Sequence, residues 1–253
     1  MKEPMTGKLY HAAGSRFIWK EIFNPQESNL TLLSGSEIQL QNCCGPEAAF
    51  RKEETLLFNL AESVTCEVEG KPYALAHYDV LYIPMDTPFR LEHRGTGAGL
   101  LYLYRARGSD RHPVHHSPWK RYRRLKDRTR RLRRKRVYLM FDVSEKADKL
   151  MAGYTFYEPF TRAWPPHNHT DQEEVYSFIE GRGAMSVYED DEHQSFVTSV
   201  RKGDHITIPL LQYHPVFSQE EPLAFIWCIA GRRYWVGDEN PDFMSGKGKK
   251  ITT

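Results

Sequence analysis

The chain has 253 residues, 40% of them hydrophobic and 13% aromatic, with 35 basic and 33 acidic side chains and a formal net charge of +2. That length allows one large domain or two modest ones, each able to bury a core. No apolar run approaches the ~18–20 residues that span a bilayer, and the start of the chain has no continuous apolar stretch of the secretory kind, so a cytoplasmic protein without membrane association is expected. The four cysteines, Cys43, Cys44, Cys66 and Cys228, show no CxxC spacing, which argues against a disulfide framework or a thiolate zinc site and for buried free thiols.

From residue 30 to 105 the chain reads as short strands. NLTLLSGSEIQLQ, TLLFNLAESVTCEVEG, KPYALAHYDVLYIPMD and GAGLLYLYRAR mix alternation with apolar runs and are broken by Gly, Pro and Asp, which is the grammar of a sandwich or barrel. HPVHH at 112–116 follows; without a carboxylate at suitable spacing it is expected to be a surface loop.

Next comes KRYRRLKDRTRRLRRKR at 120–136, which holds 12 of the basic residues against one acid and leaves 23 basic and 32 acidic residues elsewhere. The positive charge is therefore local. No aromatic platform or reading motif accompanies it, so nucleic acid is not the expected partner. Its apolar residues, Tyr122, Leu125 and Leu132, are too few for a buried face, and an exposed connection is expected.

Strand grammar then returns in KLMAGYTFYEPF, EVYSFIEGRGAMSVYE, SFVTSVRKGDHITIPLL and PLAFIWCIAG. No long amphipathic helix competes, and the whole chain is expected to be all-β. The two halves also align: HYDVLYIPMDTPFRLEH lies over KGDHITIPLLQYHPVFS, with Asp79 on Asp204, Ile83 on Ile208, Pro84 on Pro209 and Phe89 on His214. Two copies of one β unit are implied, with a histidine in the second where the first has phenylalanine.

WPPHNHTDQEEVYSF at 164–178 carries the chemistry. On a strand, residues two apart share a face, so His167 and His169 can offer imidazole nitrogens to one ion. Past a short turn, Glu174 opens the next strand and shares its inward face with Tyr176 and Phe178. His214, near the end of a later strand, completes a set of three nitrogens and one oxygen if the sheet closes on itself. Such a set suits one divalent metal ion, Zn, Mn, Fe, Ni or Co.

HNHTDQEEVYSFIEG reads H-x-H-x4-E-x6-G and GDHITIPLLQYH reads G-x5-P-x4-H, which together resemble the two motifs of the cupin superfamily. Thr161, Leu211 and Ser218 stand where that pattern has glycine, glycine and asparagine. The resemblance implies a bicupin, two double-stranded β-helix (jelly-roll) barrels in one chain: a degenerate cupin without metal over 1–115, a basic linker over 116–136 and a metal-binding cupin over 137–253.

PPHNH, EEVYSF, YHPV and IAGRRYWVGDENPDF are similar to the 5-deoxy-glucuronate isomerases of inositol catabolism, and MAGYTFYEP with EVYSF to the 5-keto-4-deoxyuronate isomerases of pectin breakdown. This implies an aldose–ketose isomerase of a deoxy uronic acid. Its cofactor would be one divalent ion, Zn or Mn first, and its partner a small anionic sugar substrate; a homo-oligomer is expected. Tyr176 is the first candidate for the acid–base group, ahead of Tyr213, and Arg162 for the substrate carboxylate, ahead of Arg182 and Lys202. The same ligand set would also serve an Fe-dependent cupin dioxygenase or a non-catalytic sugar-acid-binding or regulatory cupin.

Overall fold

The computed structural model describes residues 9–11, 16–162, 166–190 and 196–234. The first half forms β1 (Leu9–His11), β2 (Phe17–Phe23), β3 (Leu33–Leu40), β4 (Cys43–Cys44), β5 (Glu53–Asn59), β6 (Ser63–Val68), β7 (Lys71–Ala76), β8 (Val80–Ile83), β9 (Phe89–His93), β10 (Gly99–Arg107) and β11 (His115–Ser117). One helical turn, α1 (Trp119–Tyr122), precedes β12 (Thr129–Leu132), β13 (Lys135–Phe141), β14 (Leu150–Tyr157), β15 (Gln172–Glu180), β16 (Arg182–Val187), β17 (Phe196–Arg201), β18 (His205–Ile208), β19 (Val216–Ser218) and β20 (Leu223–Gly231).

Each half pairs a large sheet with a small one. The first half has the orders β1-β2-β3-β10-β5-β8-β11 and β4-β9-β6-β7, the second β12-β13-β14-β20-β15-β18 and β17-β16-β19. All strand pairs are antiparallel among the described residues.

The sequence repeat is a structural one. β6 and β16 share one alternation of buried and exposed positions, as do β7 and β17. Asp79 accepts the backbone N–H of Ala76 at 3.0 Å, and Asp204 that of Arg201 at 2.9 Å. Registers match too: Glu54 lies opposite Ala106 as Glu173 lies opposite Ala230, and Phe17 pairs with Leu40 as Lys135 pairs with Tyr157.

Three apolar clusters hold the molecule. One fills the first barrel (Ile38, Leu57, Phe89, Leu101), one the second (Met151, Phe178, Val216, Phe225), and the third lies between the halves (Leu56, Phe58, Tyr104, Tyr154, Val175, Ile226). Leu57 thus points into its barrel while Leu56 and Phe58 pack against the other half. A large-sheet strand covered on both faces is buried along its length, which is why positions 54–59 of β5 and 172–179 of β15 lack the alternation of a half-exposed strand and their polar residues must find partners inside.

Two buried carboxylates lock the halves reciprocally. Glu54 accepts backbone N–H groups of Asp148, Lys149 and Leu150 at 2.7–2.9 Å and the Tyr82 hydroxyl at 2.9 Å. Glu173 accepts those of Thr31, Leu32 and Leu33 at 2.6, 2.7 and 3.3 Å and the Thr31 hydroxyl at 2.7 Å.

The basic segment is more structured than its composition suggests. Most of its arginines are exposed, but Tyr122 is buried in the cluster between the halves, and Arg128 pairs with Asp142 and Glu145 at 3.3 and 2.5 Å. One buried ring, one paired guanidinium and the β12–β13 ladder, rather than an apolar face, tie it down. HPVHH likewise is no free loop: His112 meets Asp148 at 2.7 Å, His115 the Tyr122 hydroxyl at 2.8 Å, and His116 Asp79 at 3.0 Å. The carboxylates that its local sequence lacks come from distant strands and turns. Of the four free thiols, Cys66 and Cys228 are buried as expected, whereas Cys43 is half-buried and Cys44 exposed. No helix among the described residues is long and apolar enough to cross a membrane.

Candidate metal centre

The second barrel gathers His167, His169, Glu174 and His214, with one potential ligand atom of each lying within 4.8 Å of all the others. Glu174 is placed by β15, where the alternation puts it with Tyr176 and Phe178 on the barrel face while Val175 joins the cluster between the halves. Gly181 ends that strand with φ +77°, and a Cβ there would stand 1.8 Å from the Pro222 carbonyl oxygen. The glycine of the first motif is therefore needed both for its backbone angle and for space.

The two histidines of HNH lie outside any strand. Pro166 has no N–H to give to a ladder, and the segment is held instead by the Leu211 N–H on the His169 carbonyl at 2.7 Å and by the Asn168 amide on the Leu211 carbonyl at 3.1 Å. Both rings nevertheless come together, with centroids 5.1 Å apart. The His214 ring follows the Tyr188–Tyr213 bridge. Its Nδ1 lies 2.9 Å from the Gln212 carbonyl, which fixes the tautomer and turns Nε2 inward.

The donor set fits a metal. His169 Nε2 lies 3.2 Å and His214 Nε2 3.1 Å from Glu174 Oε2, and His214 Nε2 is buried without an aligned hydrogen-bond partner among the described residues. Buried polar atoms are normally satisfied, and imidazole lone pairs converging on a carboxylate oxygen are satisfied by a shared cation. Electrostatics keep Glu174 ionised and His167 neutral. Burial alone would raise the Glu174 carboxyl, but His169 and His214 outweigh it and bring it to about 2. Burial, then the His214, His169 and Lys135 charges, hold the His167 imidazole well below its ordinary range.

Among the described residues, the first barrel gathers no such cluster. Continuing the Val216–Met185 pairing by two residues sets His214 opposite Val187, as Phe89 is set opposite Val68. By register, Thr55 stands at the position of Glu174 and Leu57 at that of Tyr176. Trp19, Phe50 and Phe89 fill that interior, with ring centroids 5.8–6.5 Å apart.

Around the histidines, the buried Tyr176 ring is 5.6 Å from His214 and 4.4 Å from Phe225. Burial, then Glu174 and Tyr157, raise its phenol well above the ordinary range, so it carries its proton at neutral pH. Arg162 is exposed, its backbone bridged to Phe217. Arg182 pairs on the outside with Glu221 at 2.8 Å, and Lys202 is exposed in a turn. Arg233, within the IAGRRYW stretch, donates to the Leu150, Glu145 and Ala147 carbonyls and is a structural tie; the part of that stretch from 235 onward lies outside the described residues. Lys135 is hidden in the sequence because it sits within a run of charges that ends at Arg136. The signal was the alternation Lys135, Val137, Leu139, since Val137 and Leu139 both face the second barrel's core.

An all-β chain of two jelly-roll units, one presenting three imidazoles and a carboxylate to its interior, is a cupin. The sequence profile of the KduI/IolB family matches residues 15–245, and the chain belongs to that family of sugar-acid isomerases. No curated protein sequence matches the chain. Among solved structures, an IolB-like protein from Salmonella typhimurium LT2 superposes with a TM-score of 0.72 at 17% identity, over 90% of this chain and 94% of the other. A variant of Bacillus subtilis oxalate decarboxylase OxdC superposes with a TM-score of 0.71 at 14% identity, over 90% and 76%. A putative glyoxylate-induced protein from Pseudomonas aeruginosa gives 0.70 at 12%, over 90% and 85%.

Proposed function

We propose that this chain is a metal-dependent aldose–ketose isomerase acting on a deoxy uronic acid, with His167, His169, Glu174 and His214 holding one divalent ion, Zn or Mn, in the C-terminal cupin of residues 137–253. In this reading residues 1–115 form a cupin without metal, and 116–136 run from the end of its β11 through α1 into β12 and the first residues of β13, which join the large sheet of the second. The observation that carries the proposal is the convergence of four donor atoms within 4.8 Å in one barrel, in a chain of a sugar-acid isomerase family.

Three imidazoles and one carboxylate would leave positions open for substrate on an ion that takes five or six ligands. A divalent ion held there supplies Lewis acidity toward the carbonyl and hydroxyl oxygens of an open-chain sugar. The chain's own residues supply the rest. Tyr176 presents a protonated hydroxyl on the inward face of β15 and is the candidate to give and recover a proton at a substrate oxygen. The apolar walls of Met151, Phe178 and Phe225 exclude water from the reacting carbons.

The test is isomerisation of a panel of deoxy-uronates by chelated and reloaded protein under anaerobic conditions. Loss of conversion on chelation and its return with Zn²⁺ or Mn²⁺ is the expected result. A strict requirement for Fe²⁺ and O₂ would replace this reading with an oxygenase.

A further inference from the structure

We infer that Lys135 is the anion-binding group of the second barrel and receives the carboxylate of its substrate. The inference rests on the reading above for the substrate class and deepens it by assigning the charged end of that substrate to a residue.

Lys135 opens β13 and shares the inward face of Val137 and Leu139, both packed in the core of the second barrel. Its Nζ lies 5.7 Å over the Tyr157 ring. From there rings run to the histidines: Tyr157 to Phe225 at 5.7 Å, Phe225 to Tyr176 at 4.4 Å, and Tyr176 to His214 at 5.6 Å. The ammonium is thus at one end of an aromatic wall whose other end is the donor cluster, and it is within electrostatic reach of His167.

Three observations separate this lysine from the exposed charges around it. Burial, and then Arg130, bring its ammonium down to about 8, which leaves it mostly charged at neutral pH. Among the described residues no carboxylate pairs with it, although the neighbouring Arg128 and Arg134 each have an acidic partner. A half-buried cation without a counter-ion still carries a desolvation cost, and folding does not require one here. The register of the first barrel shows why: Phe17 pairs with Leu40 where Lys135 pairs with Tyr157, and the same sheet forms with a phenyl ring at that position.

The four inward positions Phe17, Leu40, Leu57 and Phe89 of one barrel correspond to Lys135, Tyr157, Tyr176 and His214 of the other. The polar set occurs only where the metal donors occur. One carboxylate, one divalent ion and one ammonium leave that interior with excess positive charge, which an anionic ligand neutralises. Of the cations considered from sequence, Arg162 and Lys202 are exposed and Arg182 is paired outside.

The experiment titrates full-length, Zn-loaded protein calorimetrically with D-glucuronate and with its neutral amide, D-glucuronamide. The wild type is expected to prefer the uronate by tenfold or more. Lys135→Met should weaken glucuronate binding by at least that factor and leave the amide unchanged, while Lys135→Arg keeps most of the preference. Metal content and thermal unfolding check that the site is intact, and Lys135→Gln serves if the methionine variant does not fold. A wild type that does not distinguish uronate from amide overturns the proposal, as does a preference that survives in Lys135→Met or Lys135→Gln. The two readings fail separately. Lys135-dependent binding without turnover of any deoxy-uronate would keep the anion site and remove the isomerase, whereas turnover with an unchanged KM in Lys135→Met would do the reverse.

Discussion

Leu211 has φ +64°, the left-handed region that a residue with a Cβ enters at a cost of ~1–2 kcal/mol. It stands where the cupin pattern has glycine, and its N–H is the one that holds the His169 carbonyl at 2.7 Å, so a strained position secures a proposed metal donor. Thr161 and Ser218, the other two departures, compensate each other: the Thr161 N–H donates to Ser218 Oγ at 2.8 Å and the Ser218 N–H to the Thr161 carbonyl at 2.8 Å. Ser218→Ala leaves the Thr161 N–H without its acceptor and is expected to lower stability by about 1–3 kcal/mol, read from urea unfolding, with metal content unchanged. His169→Ala removes a donor and should lose most of the metal in elemental analysis. At this scale the sequence was informative, because HNH, Glu174 and His214 each sit in a short motif. Lys135 was obscured by eleven like-charged neighbours in its run, and its role follows from the face of β13 rather than from its residue type.

Between elements, the reciprocal carboxylates Glu54 and Glu173 do for this chain what a long interface does for a dimer. Each satisfies three backbone N–H groups at the start of a strand in the other half. Glu173→Ala would leave those of Thr31, Leu32 and Leu33 unsatisfied and is expected to cost roughly 3 kcal/mol or more in urea unfolding, with Glu54→Ala similar. A pH-sensitive chain crosses the same joint: Tyr104 donates to Ser177 at 2.6 Å, and Ser177 to His205 Nδ1 at 2.7 Å. Burial, and then Lys20, lower His205 from 6.5 to about 4. The unfolded chain therefore takes up this proton first, and stability is lost as pH falls from about 6.5 toward 4. Near pH 5 the loss is on the order of 2 kcal/mol, and His205→Asn should remove that share of the difference between unfolding curves at pH 7 and pH 5. Neither device is legible from sequence. Glu173 and Ser177 of β15 meet Thr31 and Tyr104, each more than 70 positions away.

Across the whole molecule, one β unit occurs twice with its interior used in two ways. The first barrel packs Trp19, Phe50 and Phe89 where the second converges imidazoles and a carboxylate. The duplication and the Phe89-for-His214 difference were readable in the alignment of the halves because turn residues such as Asp79 and Asp204 keep their hydrogen bonds in both copies. The packing of the halves was not, since strands apolar on both faces give no sign of which face meets which core. The central claim, one metal in the second barrel and none in the first, is tested most directly by metal content per chain in the wild type and in His214→Phe, which gives the second barrel the residue of the first. One equivalent in the wild type and almost none in the variant is the predicted result. Two equivalents in the wild type, or one retained in His214→Phe, would contradict it.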